Sequence, residues 1–137
     1  MKRRYDWRSR LHQALKEQQV IPFAWGSEDC THFASAIVLA MTDTDLRKEF
    51  NVEYGNPDAA LHALETLGFQ NNLPGLIATL AKEILPSEAR EGDLAIVASA
   101  DIGNGLGIFL REWIAVRTLE GYGLVPRATA IHAFRVP

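Results

Sequence analysis

The segment spanning residues 30–41 most constrains what this chain can fold into. Phe33, Ala34, Ala36, Ile37, Val38, Ala40 and Met41 are apolar nearly all round a helical wheel. A helix apolar on every face must be buried on every face, so the rest of the chain has to build a core around it. Ser27 or Asp29 is placed to cap its first turn, because a short oxygen-bearing side chain accepts a free backbone N–H there. At 137 residues the chain is long enough to enclose such a helix in one domain. Its longest near-apolar run, Phe33 to Met41, falls far short of the ~20 residues a membrane helix needs, so no membrane insertion is expected.

The rest of the first half also reads helical. Trp7, Leu11, Ala14 and Leu15 recur at helical spacing, and Pro22 closes that helix. A loop from Pro22 to Asp29 holds Phe23, Trp25 and Gly26. Thr42 to Phe50 reads as a short polar helix. Asn56-Pro57 fits the start of another, with Ala60, Leu61, Leu64 and Leu67 as its stripe and Gly68 as its stop. Leu76 to Ile84 reads as one more helix, ended by Pro86.

The second half changes character. Asp93 to Ala98, Leu106 to Leu110, Trp113 to Arg117 and Ala128 to Val136 are short and rich in Val, Ile and aromatics. Gly103-Asn104-Gly105 and Gly121-Tyr122-Gly123 read as turns between them. Helices first and strands after imply an α+β fold, with the helices packed on an antiparallel sheet. The expected organisation is a single domain over 1–137, with residues 1–21 as a basic helix packed on it.

Charge is unevenly placed. Lys2, Arg3, Arg4, Arg8 and Arg10 oppose only Asp6 in the first ten residues, whereas the remainder carries nine basic and sixteen acidic residues. A nucleic-acid binder would carry its basic patch on the body, so no nucleic-acid partner is expected. The basic tip is either a dock for an acidic partner or a solvated helix start. No apolar segment follows it, so no signal peptide is expected.

Cys30 is the sole cysteine, which excludes an internal disulfide and a cysteine-rich zinc site. No metal or cofactor is expected. Its place at the first turn of the buried helix leaves two readings open. The positive end of a helix favours the thiolate, the nucleophilic form. Equally, a free cysteine is commonly a small core hydrophobe.

The pattern Trp25-Gly26-x-x-Asp29-Cys30-x-x-Phe33 resembles the cysteine motif of the NlpC-like cell-wall peptidases, papain-like enzymes that cut peptidoglycan stem peptides. Glu91-Gly92-Asp93-Leu94 is similar to the glycine–aspartate lead-in of their first core strand. Gly105-Leu106-Gly107-Ile108-Phe109 stands where a His-Val-Gly-Ile-Tyr strand would supply the base. Gly123-Leu124-Val125-Pro126 and Arg135-Val136 add to the likeness with a phage- and prophage-associated branch of unknown function. The resemblance covers roughly Pro22 to Val136. It implies a papain-like fold of the NlpC type, and a place among tail or tail-tip proteins.

This sequence departs from the family at the base. Gly105 occupies the expected histidine position, and Arg117 stands near that of the orienting residue. A cysteine peptidase needs a group that takes the thiol proton and returns it to the leaving amine. Glycine has none, and arginine stays protonated. Of the four histidines, His12 reads as solvent-facing and His62 lies on a separate helix. His32 points about 200° round its helix from Cys30. His132, on the last strand, is the one that could reach across a sheet as a substitute base.

Two functions follow from the resemblance. The first is a non-catalytic component of a phage tail, in the virion or in the host cytoplasm during assembly, with Trp25, Trp113 and the basic tip as contact points for other tail proteins or a peptidoglycan peptide. The second is a working cysteine hydrolase, a peptidase or amidase, with Cys30 as nucleophile and His132 as base. An unrelated small binding domain is a third. Asp29 is either a helix cap or part of a retained polar site. Trp25 either lines a peptide groove or fills a seam between loop and sheet. Trp113, on an expected edge strand, is either core or a binding hot spot.

Overall fold

The computed structural model describes residues 1–25, 27–49, 56, 58–59, 73–99 and 103–137. Helix α1 spans Trp7–Gln18 and α2 spans Cys30–Thr42. A 3-10 turn at Leu46–Glu49 follows, then the short helix α3, Leu73–Ala78. Six strands complete the chain: β1 Glu83–Ile84, β2 Leu94–Ser99, β3 Gly103–Phe109, β4 Trp113–Thr118, β5 Gly121–Pro126 and β6 His132–Phe134. They form one antiparallel sheet in the order β1-β6-β2-β3-β4-β5. The fold is therefore α+β, as the order of patterns along the chain implies.

The sheet is buried on both faces, and strand alternation divides its residues between them. Leu94, Ile96, Leu106, Ile108, Ala115 and Phe134 face the helices and join Leu11, Leu15, Phe33, Ile37 and Met41 in the main core. Ala95, Val97, Phe109, Ile114, Val116 and Ala133 face the other way into a second, smaller core. This explains why β2 and β3 read as continuous apolar runs. Each fully buried large aliphatic or aromatic side chain here contributes about 1.5–3 kcal/mol. Arg127 locks the second core. Its guanidinium lies 4.7 Å over the Phe109 ring and donates to the carbonyls of Leu110, Arg111, Pro86 and Ala89.

Several boundaries differ from the sequence pattern. Gly103-Asn104-Gly105 is not a turn but the first half of β3, paired with Ser99, Ala98 and Val97. Gly121-Tyr122-Gly123 likewise opens β5, with the reversal just before it at residues 119–120. The expected helix from Leu76 to Ile84 is instead the end of α3 followed by β1, which pairs with β6. The last strand is only His132–Phe134, preceded by a 3-10 turn at Arg127–Thr129. Thr42 to Phe50 contains a 3-10 turn rather than an α-helix. Trp113 is not on an edge strand: β4 is flanked by β3 and β5, and the edges are β1 and β5. Asn56 accepts the Ala59 N–H at 2.8 Å, as a helix cap does. The apolar stripe at 60–67, Gly68 and His62 lie outside the described residues.

The basic tip is held against the body. Arg3 pairs with buried Asp93 at 3.0 Å, Arg4 with Asp43, Arg8 with Glu91 at 3.2 Å and Arg10 with Asp6 at 2.9 Å. Four of its five cations thus have a carboxylate partner within the fold. Among the described residues no helix is long and apolar enough to cross a membrane.

Candidate functional site

The segment leading into α2 is built from the cap upward. Asp29 is buried and extended, and its Oδ1 accepts the backbone N–H groups of Thr31 and His32, both at 3.1 Å. The same oxygen takes the Thr31 hydroxyl at 2.7 Å and faces His32 Nδ1 at 2.7 Å. A carboxylate only accepts, so Nδ1 is the protonated nitrogen of that ring. The arrangement satisfies first-turn N–H groups that would otherwise lack a partner. Before the cap, the chain pinches into a loop closed by Glu28 N–H to Ala24 O at 2.8 Å and Ala24 N–H to Glu28 O at 3.2 Å. That loop carries Trp25, edge-on to Phe23 with ring centroids 4.9 Å apart.

Cys30 opens on a cleft of about 290 Å³. Phe23 and Trp25 wall one side, Gly105 and Leu106 of β3 lie with Cys30, and Arg117 of β4 and Val125 of β5 also line it. The three positions singled out by the family pattern, Cys30, Gly105 and Arg117, therefore share one cleft. Trp25 is a cleft wall. Neither His132 nor Trp113 lines the cleft. His132 Nδ1 sits 2.7 Å from Glu83 on β1, on the far side of β2 from β3. Its expected reach toward Cys30 is spent on this outer pair. His32 is turned back on Asp29. Among the described residues, no histidine lines the cleft.

The surroundings of the thiol oppose its ionisation. Burial pushes its pKa up to about 12, and the negative charge of Asp29 pushes in the same direction. The N–H groups of Leu106, Cys30 and Thr31 pull it down by hydrogen bonding, as a helix start should, but do not prevail. At that pKa only about one molecule in 10⁵ is thiolate at pH 7. Desolvation thus outweighs the helix-terminus effect that the sequence offered as a means of activation.

Arg117 is 1 % exposed. Its Nη1 reaches Glu28 Oε2 at 3.2 Å, and its Nη2 donates to Gln18 Oε1 at 2.6 Å and Gln18 O at 3.0 Å. The guanidinium lies 5.1 Å from the Phe33 ring centre. Burial pulls its pKa down, against the opposing charges of Glu28 and Asp29. Its Nε–H has no acceptor among the described residues, a deficit worth about 1–3 kcal/mol for a buried donor. Gln18 and Glu28 are members of this site that sequence reasoning did not find. They lie 99 and 89 positions from Arg117, and no spacing rule links them.

Comparisons bear on this arrangement. The NlpC/p60 domain of the peptidoglycan hydrolase SagA is similar in structure, with a TM-score of 0.60 at 17 % identity, covering 95 % of this chain and 98 % of that one. The peptidoglycan hydrolase RipB from Mycobacterium tuberculosis gives 0.44 at 16 % identity, over 96 % of this chain and 67 % of that one. The P60 domain of the M. avium paratuberculosis antigen MAP1272c also gives 0.44 at 16 % identity, over 96 % of each chain. A comparison with curated proteins gave no match. The helices, the antiparallel sheet and the likeness to the SagA domain make the fold papain-like, of the NlpC/p60 type. Residues 2–136 match one family from end to end, and the chain belongs to it: the family described as Domain of unknown function (DUF6950).

Proposed function

We propose that this chain is a non-catalytic protein of the NlpC type that serves as a structural or assembly component of a phage or prophage tail. One observation supports the non-catalytic half: Cys30 shares its cleft with Gly105 and Arg117, and among the described residues no histidine lines it. A thiol held protonated, with no histidine beside it among the described residues, is without the usual base of acyl transfer. Loss of one member of such a unit costs ~10⁴ to 10⁶ in rate. The tail assignment is supported by the order of sequence signals shared with the phage-associated branch. Other tail or tail-tip proteins are then its partners, in the virion or in the host cytoplasm during assembly. The structurally similar SagA domain belongs to a peptidoglycan hydrolase, which favours a peptidoglycan peptide as a ligand that is held and not cut.

The competing reading, a cysteine hydrolase, is favoured by one feature, the opening of Cys30, which also packs against the main core, onto a cleft. Complementation separates the two. In a phage or prophage lacking the gene, Cys30→Ala should restore tail formation as well as the natural sequence does. Purified protein incubated with cell-wall fragments should release no peptide and carry no acyl group on Cys30. Failure of Cys30→Ala to complement, together with an acylated Cys30 in the natural protein, would establish the hydrolase instead. Intact tails without the gene would refute the tail role.

A further inference from the structure

The β4–β5 hairpin leaves β5 as a sheet edge, with no further strand beside it among the described residues. Two bonds fix which of its backbone groups point outward. The Trp113 carbonyl accepts Leu110 N–H at 2.8 Å and so faces β3, whereas Arg127 N–H reaches the Glu112 carbonyl at 3.2 Å. Bonding alternates along an antiparallel pair of strands. Gly121, Gly123 and Val125 therefore bond β4, and Tyr122, Leu124 and Pro126 face away from it. Tyr122 and Leu124 each present an N–H and a C=O at the edge, and Pro126 presents a C=O alone.

This edge is unguarded. Sheet edges are usually blunted by charge, by proline, by a bulge or by brevity. The opposite edge, β1, is two residues long and carries Glu83. By contrast β5 is six residues long, has no charged side chain and has proline only at its last position. Trp113, Leu119 and Leu124, three of the exposed large apolar side chains, lie on the same hairpin. These features suit a second copy of the chain. A strand set against its own copy risks placing like charges together, and β5 has none. With Gly123 on a two-fold axis, Tyr122 of one copy stands opposite Leu124 of the other, and each N–H meets the other's carbonyl. Glycine puts no side chain at the axis, where the backbones approach to about 4.5 Å. Tyr122 packs on the main core and Leu124 shares its face, so the contact there is apolar against apolar. On the other face Val125 meets Gly121 of the second copy.

We propose that β5 is a self-association edge, on which a second copy of this chain adds its own β5 antiparallel about Gly123 and joins the two sheets into one. Such an interface uses the same patch on both copies and closes at two. Pro126 keeps it from lengthening, because it has no N–H to donate. The contact is one strand wide, so the dimer is a weak one that forms as concentration rises. It stands apart from the tail role and from the chemistry of the Cys30 cleft.

The test is sedimentation equilibrium of the full chain from micromolar to millimolar concentration. The average mass should rise from 15.2 kDa toward twice that value. Over the same range, hydrogen exchange should slow at the Tyr122 and Leu124 amides, while those of Gly123 and Val125, already bonded to β4, should change little. Leu124→Pro deletes an outward N–H and no bond to β4. Gly123→Lys sets two ammonium groups face to face at the axis, and its Cβ has room, meeting nothing closer than 3.9 Å. Each should raise the dimer dissociation constant about tenfold or more. Leu85→Lys, at an exposed position following β1 on the far edge, should leave it unchanged. Gly123→Lys alone decides the question if Leu124→Pro does not fold. A mass of 15.2 kDa throughout would overturn the proposal and leave the edge to a strand from another protein. A dimer indifferent to the folded variants, or protected at other amides, would overturn it in favour of a different surface.

Discussion

The guanidinium of Arg3 meets the carboxylate of Asp93 at 3.0 Å across 90 positions of sequence, and the Asp93 side chain is fully buried. The same carboxylate pairs with Arg135 at 3.1 Å and accepts the N–H groups of Arg90 at 2.8 Å and Val136 at 3.0 Å. Arg3 in turn donates to the carbonyls of Val136 and Glu91, both at 2.8 Å. The aspartate of the Gly92-Asp93 lead-in is therefore a joint between the start of the chain, the start of β2 and the end of the chain.

Removing that joint should be costly. Asp93→Ala leaves Arg3 buried without its counter-ion and two backbone N–H groups without an acceptor. A loss of about 3–5 kcal/mol is expected, read as a drop in the urea midpoint with the slope unchanged. Arg8→Ala, whose pair with Glu91 is exposed on the arginine side, should cost ~1 kcal/mol or less. Equal losses in the two variants would show that Asp93 is not the joint described.

The Cys30 thiol should resist alkylation in the folded state and react fully in urea. Its folded pKa of about 12 lies above that of an ordinary free thiol, so the unfolded chain releases its proton first. The thiol's contribution is fully present below pH 9 and is lost as pH rises toward 12, by at most ~1.4 kcal/mol per pH unit. Cys30→Ala should flatten this alkaline decline in urea midpoints. A native alkylation midpoint near pH 7 would contradict the buried, protonated thiol.

Asp29→Asn separates the charge of Asp29 from its capping role. Asparagine caps a helix about as well as aspartate, so the first-turn N–H groups keep their acceptor, while buried Arg117 loses one of its two opposing charges. The negative charge that raises the Cys30 pKa disappears, so native alkylation at a fixed alkaline pH should accelerate. An unchanged rate would show that burial alone holds the proton.

Gly107→Ala should destabilise the sheet. A Cβ there would meet Ile114 Cγ2 at 2.8 Å, the Ala115 carbonyl oxygen at 2.9 Å and Val116 Cγ1 at 3.0 Å. A backbone oxygen cannot step aside as a side chain can, so β3 and β4 must separate, at a cost of about 1–3 kcal/mol. Thermal unfolding of Gly107→Ala beside Gly123→Ala, whose Cβ would meet nothing closer than 3.9 Å, checks this against a general glycine effect.

What was legible in the sequence is what local pattern controls. The all-round apolar run and a cap at Ser27 or Asp29 place α2 to within a residue at its far end, because burial and capping both act within a few positions. The glycines misled for a physical reason. Gly103 and Gly105 resemble turn residues, yet they lie in β3, where Gly107 shows that close approach of β4 is what demands a missing side chain. Two-residue β1 carries no period at all and exists only through β6. Trp113 looked like an edge residue because the strand outside it, β5, opens with Gly-Tyr-Gly. In the cleft, the cysteine and the glycine at the base position were visible from motif order. The partners of Arg117 and the outward pairing of His132 were not, since hydrogen bonds across 89 and 49 positions leave no trace in spacing.

The clasp of Arg3 on Val136 has a topological consequence. The Arg3 side chain ties residue 3 to the carbonyl of Val136, so the polypeptide runs as a loop clasped near its two described ends. A short linker from Pro137 to Met1 could close that loop, and the chain could be reopened elsewhere as a circular permutant with the same fold. For the same reason, polypeptides fused at residues 1 and 137 would leave the fold from the same side of it.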